Sequence, residues 1–202
     1  FNGSLGSLPA SELGRTVISA VLDRANVAPE DVTEVIMGQI LTAGAGQNPA
    51  RQAAIGAGIP VERTAMVINQ LCGSGLRAVA LGFQSIRNGD ADVVIAGGQE
   101  SMTQAPHCAN LRNGQKLGSL EMIDSMLIDG LWDAFHGYHM GNTAENVAKQ
   151  FNISREAQDA FAAASQQKAE AAQKADRFVA EITPVVVKGR KADVRVDTDE
   201  HP

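Results

Sequence analysis

The chain has 202 residues, of which 44% are hydrophobic and 20% are charged, as is ordinary for a globular protein. Its 17 lysines and arginines against 23 acidic residues give a net charge of −6, which argues against nucleic acid as a partner because phosphate binding needs clustered basic residues. No stretch approaches the roughly 18 apolar residues of a membrane-spanning helix, and two cysteines do not form a disulfide framework, so we expect a cytoplasmic protein without membrane contact.

Short apolar strands alternate with amphipathic helices over residues 11–98. The predicted elements are a helix over 11–26 capped by Ser11, a strand over 34–41, a helix after the Asn48–Pro49 pair, a strand over 64–69, a helix over 74–87 and a strand over 91–98. This alternation predicts βαβ units, and therefore an α/β fold with a mostly parallel sheet and helices on both of its faces. In the helix over 74–87 the predicted apolar face comprises Leu76, Val79, Phe83 and Ile86.

The regular pattern breaks after Gly98, and residues 102–140 are rich in Met, His, Gly and Asn without a steady period. A long irregular segment in a compact protein is unusual and is often functional. Regular structure returns as predicted helices over 142–151 and over 154–177, the second capped by Ser154, and as a predicted strand over 180–188.

A cysteine stands where the second predicted strand meets the following helix, in "NQLCGSGLRA" at 69–78. Cys72 could be a small buried hydrophobe, as many free cysteines are. The segment from Gly73 to Ala78 also matches G-x-G-x-x-A, a dinucleotide-binding pattern, but the acidic residue that would bind a ribose, Glu100, comes late and after two glycines.

The third interpretation is that Cys72 is a nucleophile. A residue between a strand and a helix projects at the sheet edge where ligands bind in α/β folds. The unpaired N–H groups and the positive end of the helix dipole favour the thiolate, and the same N–H groups can hold an oxyanion. Gly73 and Gly75 would let a substrate approach the backbone closely.

Five separated motifs decide among these interpretations: "VIMGQILTAG", "GQNPARQAA", "NQLCGSGLRAV", "AGGQESM" and "YHMGNTAENVAK". Together, and in this order, they resemble the amino-terminal half of a biosynthetic thiolase, also called β-ketothiolase or acetyl-CoA C-acetyltransferase. The resemblance covers essentially the whole chain and favours the nucleophile interpretation of Cys72.

The resemblance implies that Cys72 attacks an acyl-CoA and becomes an acyl-thioester. The family condenses two acetyl-CoA to acetoacetyl-CoA and CoA, or runs the reverse thiolysis, with coenzyme A thioesters as substrates and no further cofactor. Leu131, His139 and Met140 match the family's contacts with CoA and the acyl pocket. The family assembles as a dimer of dimers, with a tetramer-forming excursion expected near 107–125. No zinc site is expected, because nothing completes a ligand set around His136 and His139.

The resemblance also predicts a domain division, with the thiolase core over 1–101 and the start of an inserted loop domain over 102–202. The family's general-base histidine and its second acid/base cysteine belong to the carboxyl-terminal half, so we expect the chain to be a part of a longer enzyme and to be inactive alone. We expect its sheet to lack a strand near the centre. The alternatives left open are an inactive scaffold and a nucleotide-binding α/β domain.

Overall fold

The computed structural model of the chain describes residues 1–200. The chain divides into two compact units, with the boundary between Gly130 and Leu131. The boundary predicted from the family resemblance lies between residues 101 and 102 and separates the thiolase core from the loop domain. It is a different kind of boundary from this division into compact units, and it stays a prediction. The first unit contains α1 (Ala10–Ala25), β1 (Glu34–Gly38), α2 (Pro49–Gly56), β2 (Thr64–Ile68), α3 (Ser74–Asn88), β3 (Val94–Gly98), β4 (His107–Cys108) and β5 (Ile123–Asp124). Short 3₁₀ turns occur at Pro29–Asp31 and Met102–Gln104.

The principal sheet is parallel and has the order β2-β1-β3. The central strand β1 pairs along its whole length on both sides, and Gly38 at its end lies opposite Ile68 and Gly98. The sequence predicted a sheet that lacks a strand near its centre. That prediction is wrong for this sheet, because β1 pairs directly with both β2 and β3 and leaves no gap between them. All three strands end at the same edge, where parallel α/β sheets bind ligands.

Helices cover both faces of this sheet, as predicted. On one face, Val35 and Met37 of β1 pack with Ile18 of α1 and Ala53 of α2 in the main hydrophobic core. The remaining buried members of this core are Leu22, Val32, Ala50, Ala54 and Ile59. Alternate residues of a strand point to opposite faces, which explains why Val35 and Met37 share this side.

On the opposite face, α3 lies against β1 and β3 through its small residues. Ala78 and Gly82 are buried, and a Cβ added to Gly82 would lie 3.0 Å from the side chain of Val94. The predicted apolar face of α3 exists but points away from the sheet, with exposures of 79% at Leu76 and 64% at Phe83. The small residues, and not the large ones, allow the helix to approach the strands.

Several predicted element boundaries change. Helix α1 begins at Ala10 after Pro9, with no side-chain cap, so Ser11 lies inside it and is not its cap. The first and third predicted strands shorten to Glu34–Gly38 and Val94–Gly98. The predicted caps of α2 and of the long helix are confirmed, since Asn48 Oδ1 accepts the Arg51 amide at 3.1 Å and Ser154 Oγ accepts the Ala157 amide at 3.2 Å.

The second unit begins at the last residue of a π-helical turn, Leu127–Leu131. It contains β6 (Trp132–Asp133), β7 (Tyr138–His139), α4 (Met140–Gln150), α5 (Arg155–Lys174), β8 (Val185–Val187) and β9 (Val194–Val196). Strands β6 and β7 form one antiparallel pair, and β8 and β9 form another, which the sequence did not predict. No helix within residues 1–200 combines the length and the apolarity needed to cross a membrane.

The close packing of α3 against β1 generates a stability prediction. A Cβ on Gly38 would lie 2.5 Å from the Ser74 carbonyl carbon, so Gly38→Ala must displace the start of α3. We expect the free energy of unfolding to fall by about 1–3 kcal/mol, as for other overpacked sites. Chemical denaturation measures this change.

Gly97→Ala is the matched control, because a Cβ there would meet nothing within 4 Å on the same sheet. Its free energy of unfolding should stay within about 0.5 kcal/mol of the original value. Equal losses from the two substitutions would contradict the packing assigned to Gly38.

Candidate active site

Residues 69–73 form a tight turn between β2 and α3, and Cys72 lies in it with its side chain exposed. The preceding residue, Leu71, has φ of 49°, a left-handed conformation that is uncommon for residues other than glycine. Its amide donates to Asn69 Oδ1 at 2.9 Å, which helps to hold the conformation. Strained backbone of this kind clusters at functional sites. The interpretation of Cys72 as a buried hydrophobe is wrong, since the residue is exposed.

Ser74 fixes the turn from the helix side. Its buried hydroxyl donates to the Leu71 carbonyl at 2.6 Å and accepts the Gln70 amide at 2.8 Å, so it bridges both sides of the residue before Cys72. The Gly73 and Ser74 amides donate back to the carbonyls of Gln70 and Leu71, at 3.1 and 3.0 Å.

These bonds reduce the set of N–H groups expected to be available at the start of α3. Within residues 1–200, the amides of Gly75 and Leu76 donate no hydrogen bond, whereas Arg77 begins the regular helical pattern by donating to Gly73 at 2.9 Å. Two amides rather than four are therefore available in the first turn to interact with an anion or a developing oxyanion.

Cys72 lines an open cleft of about 350 Å³ at the carboxyl ends of the strands. The other lining residues are Gly38, Gln39, Ile40, Leu71, Ser74, Gly75, Gly98, Gln99 and Glu100. Three glycines lie where α3 meets the strand ends, and a Cβ on Gly98 would lie 3.4 Å from the Gly75 Cα. The absence of side chains at these positions lets the helix start lie directly against β1 and β3.

One wall of this cleft is held together by the side chains of Glu100, Gln99 and Gln39, of which the sequence pointed only to Glu100, as a ribose ligand. Glu100 Oε2 accepts the Ile40 amide at 2.8 Å and Oε1 accepts the Leu41 amide at 3.3 Å. Below them, Gln99 Nε2 donates to Gln39 Oε1 at 2.9 Å. Both carboxylate oxygens of Glu100 are thus engaged within the protein, which argues against its use in binding a ribose. The only sequence signal was the position of Glu100 directly after a strand.

The three residues predicted to contact CoA lie along one hairpin of the second unit. Trp132 of β6 pairs with His139 of β7. Leu131 precedes Trp132 and Met140 follows His139, so the two residues flank this pair, one on each strand of the hairpin. His139 is half-buried and caps α4, since its Nδ1 accepts the Gly141 amide at 2.9 Å. A ring nitrogen that accepts carries no proton, so the neutral imidazole bears its hydrogen on Nε2 and presents a donor there.

The second histidine of this hairpin has a different partner. His136 Nδ1 lies 2.9 Å from Asp133 Oδ2 and its ring stacks on Tyr138. Hydrogen bonds from the amides of His136 and Phe135 hold the pKa of Asp133 below its ordinary value. No group of three or more potential metal ligands forms within residues 1–200. Cys108, the other thiol, is also exposed, on β4 in the first unit.

A sequence model described as the N-terminal domain of thiolase matches residues 1–202. The chain belongs to the thiolase family. The thiolase chain is 66% identical over 201 residues to an acetyl-CoA acetyltransferase of Shinella zoogloeoides, and 57% identical to a cytosolic acetyl-CoA acetyltransferase of Rattus norvegicus. In both comparisons all of the thiolase chain is covered, but only 51% of the relative. It therefore spans about half the length of the curated relatives it matches.

The fold comparison agrees. The crystal structure of the Bacillus anthracis acetyl-CoA acetyltransferase matches with a TM-score of 0.96 and 36% identity, covering 100% of the thiolase chain and 51% of that structure. The family resemblance and the fold class predicted from the sequence are thus confirmed. The roles of Cys72, Leu131, His139 and Met140 stay predictions.

The two hydrogen bonds of Ser74 generate a prediction for the turn that carries Cys72. Ser74→Ala removes both and leaves the Gln70 amide without its acceptor, so the free energy of unfolding should fall by about 1–3 kcal/mol. Urea denaturation measures the loss. Ser85→Ala, on the same helix and without such bonds, should change the value by less than about 0.5 kcal/mol. A loss at Ser74 no larger than at Ser85 would refute the assigned role.

Proposed function

We propose that this chain provides the acyl-accepting part of an acetyl-CoA acetyltransferase, with Cys72 as the nucleophile. The observation that carries the proposal is an exposed thiol in an open cleft at the carboxyl ends of a parallel sheet, beside two available amides at the start of α3. The names of the relatives support acetyl-CoA as the substrate.

In the first step, the Cys72 sulfur attacks the carbonyl carbon of acetyl-CoA. The bond between that carbon and the CoA sulfur breaks, CoA leaves as its thiolate and takes up a proton, and acetyl-Cys72 remains. In the second step, a second acetyl-CoA loses a proton from its methyl carbon and the carbanion attacks the acetyl carbonyl. The Cys72 thiolate leaves, and acetoacetyl-CoA forms. Thiolysis reverses these steps. Sulfur suits both roles because it attacks and leaves readily.

The second step needs a base that the cleft does not supply. Cys72 and Glu100 are the only ionisable side chains among the cleft-lining residues described, and both oxygens of Glu100 accept backbone amides. A positioned base contributes about 10²–10⁴-fold to such a proton transfer. We infer that acetylation of Cys72 and condensation are separable in this chain.

Three further assignments are part of the proposal. Leu131, His139 and Met140 contact the CoA portion of the substrate, with the Nε2–H of His139 as a donor, and no other cofactor takes part. The chain works in the cytoplasm, which the cytosolic rat and mouse relatives support. It assembles as a dimer of dimers, for which the exposed apolar side chains of the segment over 107–125, such as Leu117, offer contact surface.

Alkylation tests the nucleophile. Iodoacetamide at neutral pH should label Cys72 about tenfold faster than Cys108, because only Cys72 lies at the start of a helix whose first-turn amides are available to assist attack by its sulfur. Acetyl-CoA should suppress labelling of Cys72 but not of Cys108. Peptide mapping by mass spectrometry gives both rates, and Cys108 is the internal control because it is also exposed. Suppression by NAD in place of acetyl-CoA would favour the nucleotide-binding alternative.

Acetylation and condensation should separate in the 202-residue chain. With excess acetyl-CoA, intact mass should increase by one acetyl group, and Cys72→Ser should abolish this increase. Acetoacetyl-CoA formation should stay below that of a full-length acetyl-CoA acetyltransferase by at least about 10²-fold, the lower value of a general base. Failure of Cys72 to be acetylated would refute the proposed function, and turnover at an enzyme's usual rate would refute the separation of the two steps.

A further inference from the structure

The backbone ladder between β1 and β3 ends where the cleft begins. The last backbone hydrogen bond between these two strands is donated by the Gln99 amide to the Gly38 carbonyl at 2.9 Å. Beyond this bond, a side chain replaces the backbone as the acceptor, because the Glu100 carboxylate accepts hydrogen bonds from the amides of both Ile40 and Leu41. Glu100 thus continues the pairing of the two chains past the end of the sheet, into the wall of the Cys72 cleft.

A second row of bonds lies behind this wall. Gln99 Nε2 donates to Gln39 Oε1, and Gln39 Nε2 donates to the Leu41 carbonyl at 2.9 Å. The segment from Ile40 to Leu41 is therefore held at both amides and at one carbonyl by side chains. Glu100 and Gln39 make these bonds, and Gln99 holds the Gln39 side chain; Gln99 and Glu100 follow β3, whereas Gln39 follows β1.

This arrangement costs stability at one atom. Gln99 is 7% exposed, and its Oε1 has no hydrogen-bond partner within residues 1–200. That oxygen faces Gly14 of α1, where a Cβ would overlap it. A buried polar atom without a partner is unfavourable. Gln99 nevertheless contributes to the wall, because its N–H donates to Gln39, which in turn donates to the Leu41 carbonyl.

We propose that Glu100 is a positioning residue for acyl transfer: by holding the backbone of Ile40, which lines the cleft together with Cys72, it sets how a thioester lies against the sulfur. Gln99 supports the same wall from its buried side. The inference rests on the proposed function, since it concerns the orientation of an acyl thioester at Cys72. Glu100 acts through the backbone that it holds and does not contact the reacting atoms.

Single-turnover acetylation of the 202-residue chain by acetyl-CoA, followed by intact mass, tests this role. Glu100→Gln keeps the side-chain size but replaces one acceptor oxygen by a donor group. The rate constant for acetylation should fall about tenfold, the size expected for losing a hydrogen bond to a charged group. The amplitude should stay unchanged, because amplitude reports the folded, reactive fraction and a merely structural defect would lower it.

Amide hydrogen exchange reads the wall directly. In Glu100→Gln, exchange at the Ile40 and Leu41 amides should accelerate about tenfold, whereas the Gln99 amide, which donates to Gly38, should not change. Glu62→Gln is the matched control, because Glu62 is exposed and lies outside the cleft. It should alter neither the acetylation rate nor the exchange of these amides.

The outcomes separate the two proposals. If the unsubstituted chain is not acetylated, the proposed function fails and the role of Glu100 falls with it. If the chain is acetylated but Glu100→Gln reacts at the same rate, or if Glu62→Gln slows equally, only the role of Glu100 is overturned. Should Glu100→Gln not fold, Gln99→Met tests the wall from behind, with an expected fall in rate of about threefold for one neutral hydrogen bond. An unchanged rate would overturn the inference.

Discussion

The contact between the first turn of α3 and the ends of β1 and β3 is the constraint on which the site depends. Gly38 allows this contact, because a Cβ there would lie 2.5 Å from the Ser74 carbonyl carbon. Once the helix start is fixed, the turn that precedes it has little freedom, since β2 holds its other end. Ser74 and Asn69 then complete the turn with hydrogen bonds on either side of Leu71. The position of Cys72 follows from helix packing, not from contacts of its own side chain.

Several features near this contact oppose stability. Leu71 has a left-handed backbone, and Gln99 buries an oxygen without a partner within residues 1–200. The apolar face of α3 is exposed, with Leu76 at 79%. Each feature costs free energy, and a contiguous exposed apolar surface marks a site of interaction. The first two line the Cys72 cleft.

The sequence predicted the order of elements because each carries a local signal. Asn48 and Ser154 cap helices through their own side chains, and strand-to-helix alternation needs no long-range information. Periodicity identified the apolar face of α3 but not the face that packs against the sheet. That face carries Ala78 and Gly82, small residues that give little hydrophobic signal, and their role is explained only by the close approach of Gly82 to Val94. The left-handed Leu71 is held by the nearby side chains of Asn69 and Ser74, but no periodic pattern marks that conformation. The Gln39–Gln99 pair joins residues 60 positions apart, which no local pattern encodes. The family came from motifs rather than from periodicity.

The composition of the cleft is consistent with a thioester intermediate. Thioester transfer to sulfur needs an accessible thiol and donors for the oxyanion, and Cys72 has an open cleft and the amides of Gly75 and Leu76 beside it. It does not need a strong base in the same wall. Glu100, the only carboxylate among the described residues that line the cleft, has both oxygens occupied by backbone amides and is not available as a general base. Under the proposed function, this arrangement lets an acetyl group rest on Cys72 until carbanion chemistry is supplied from elsewhere, which separates the loading of the enzyme from the bond-forming step.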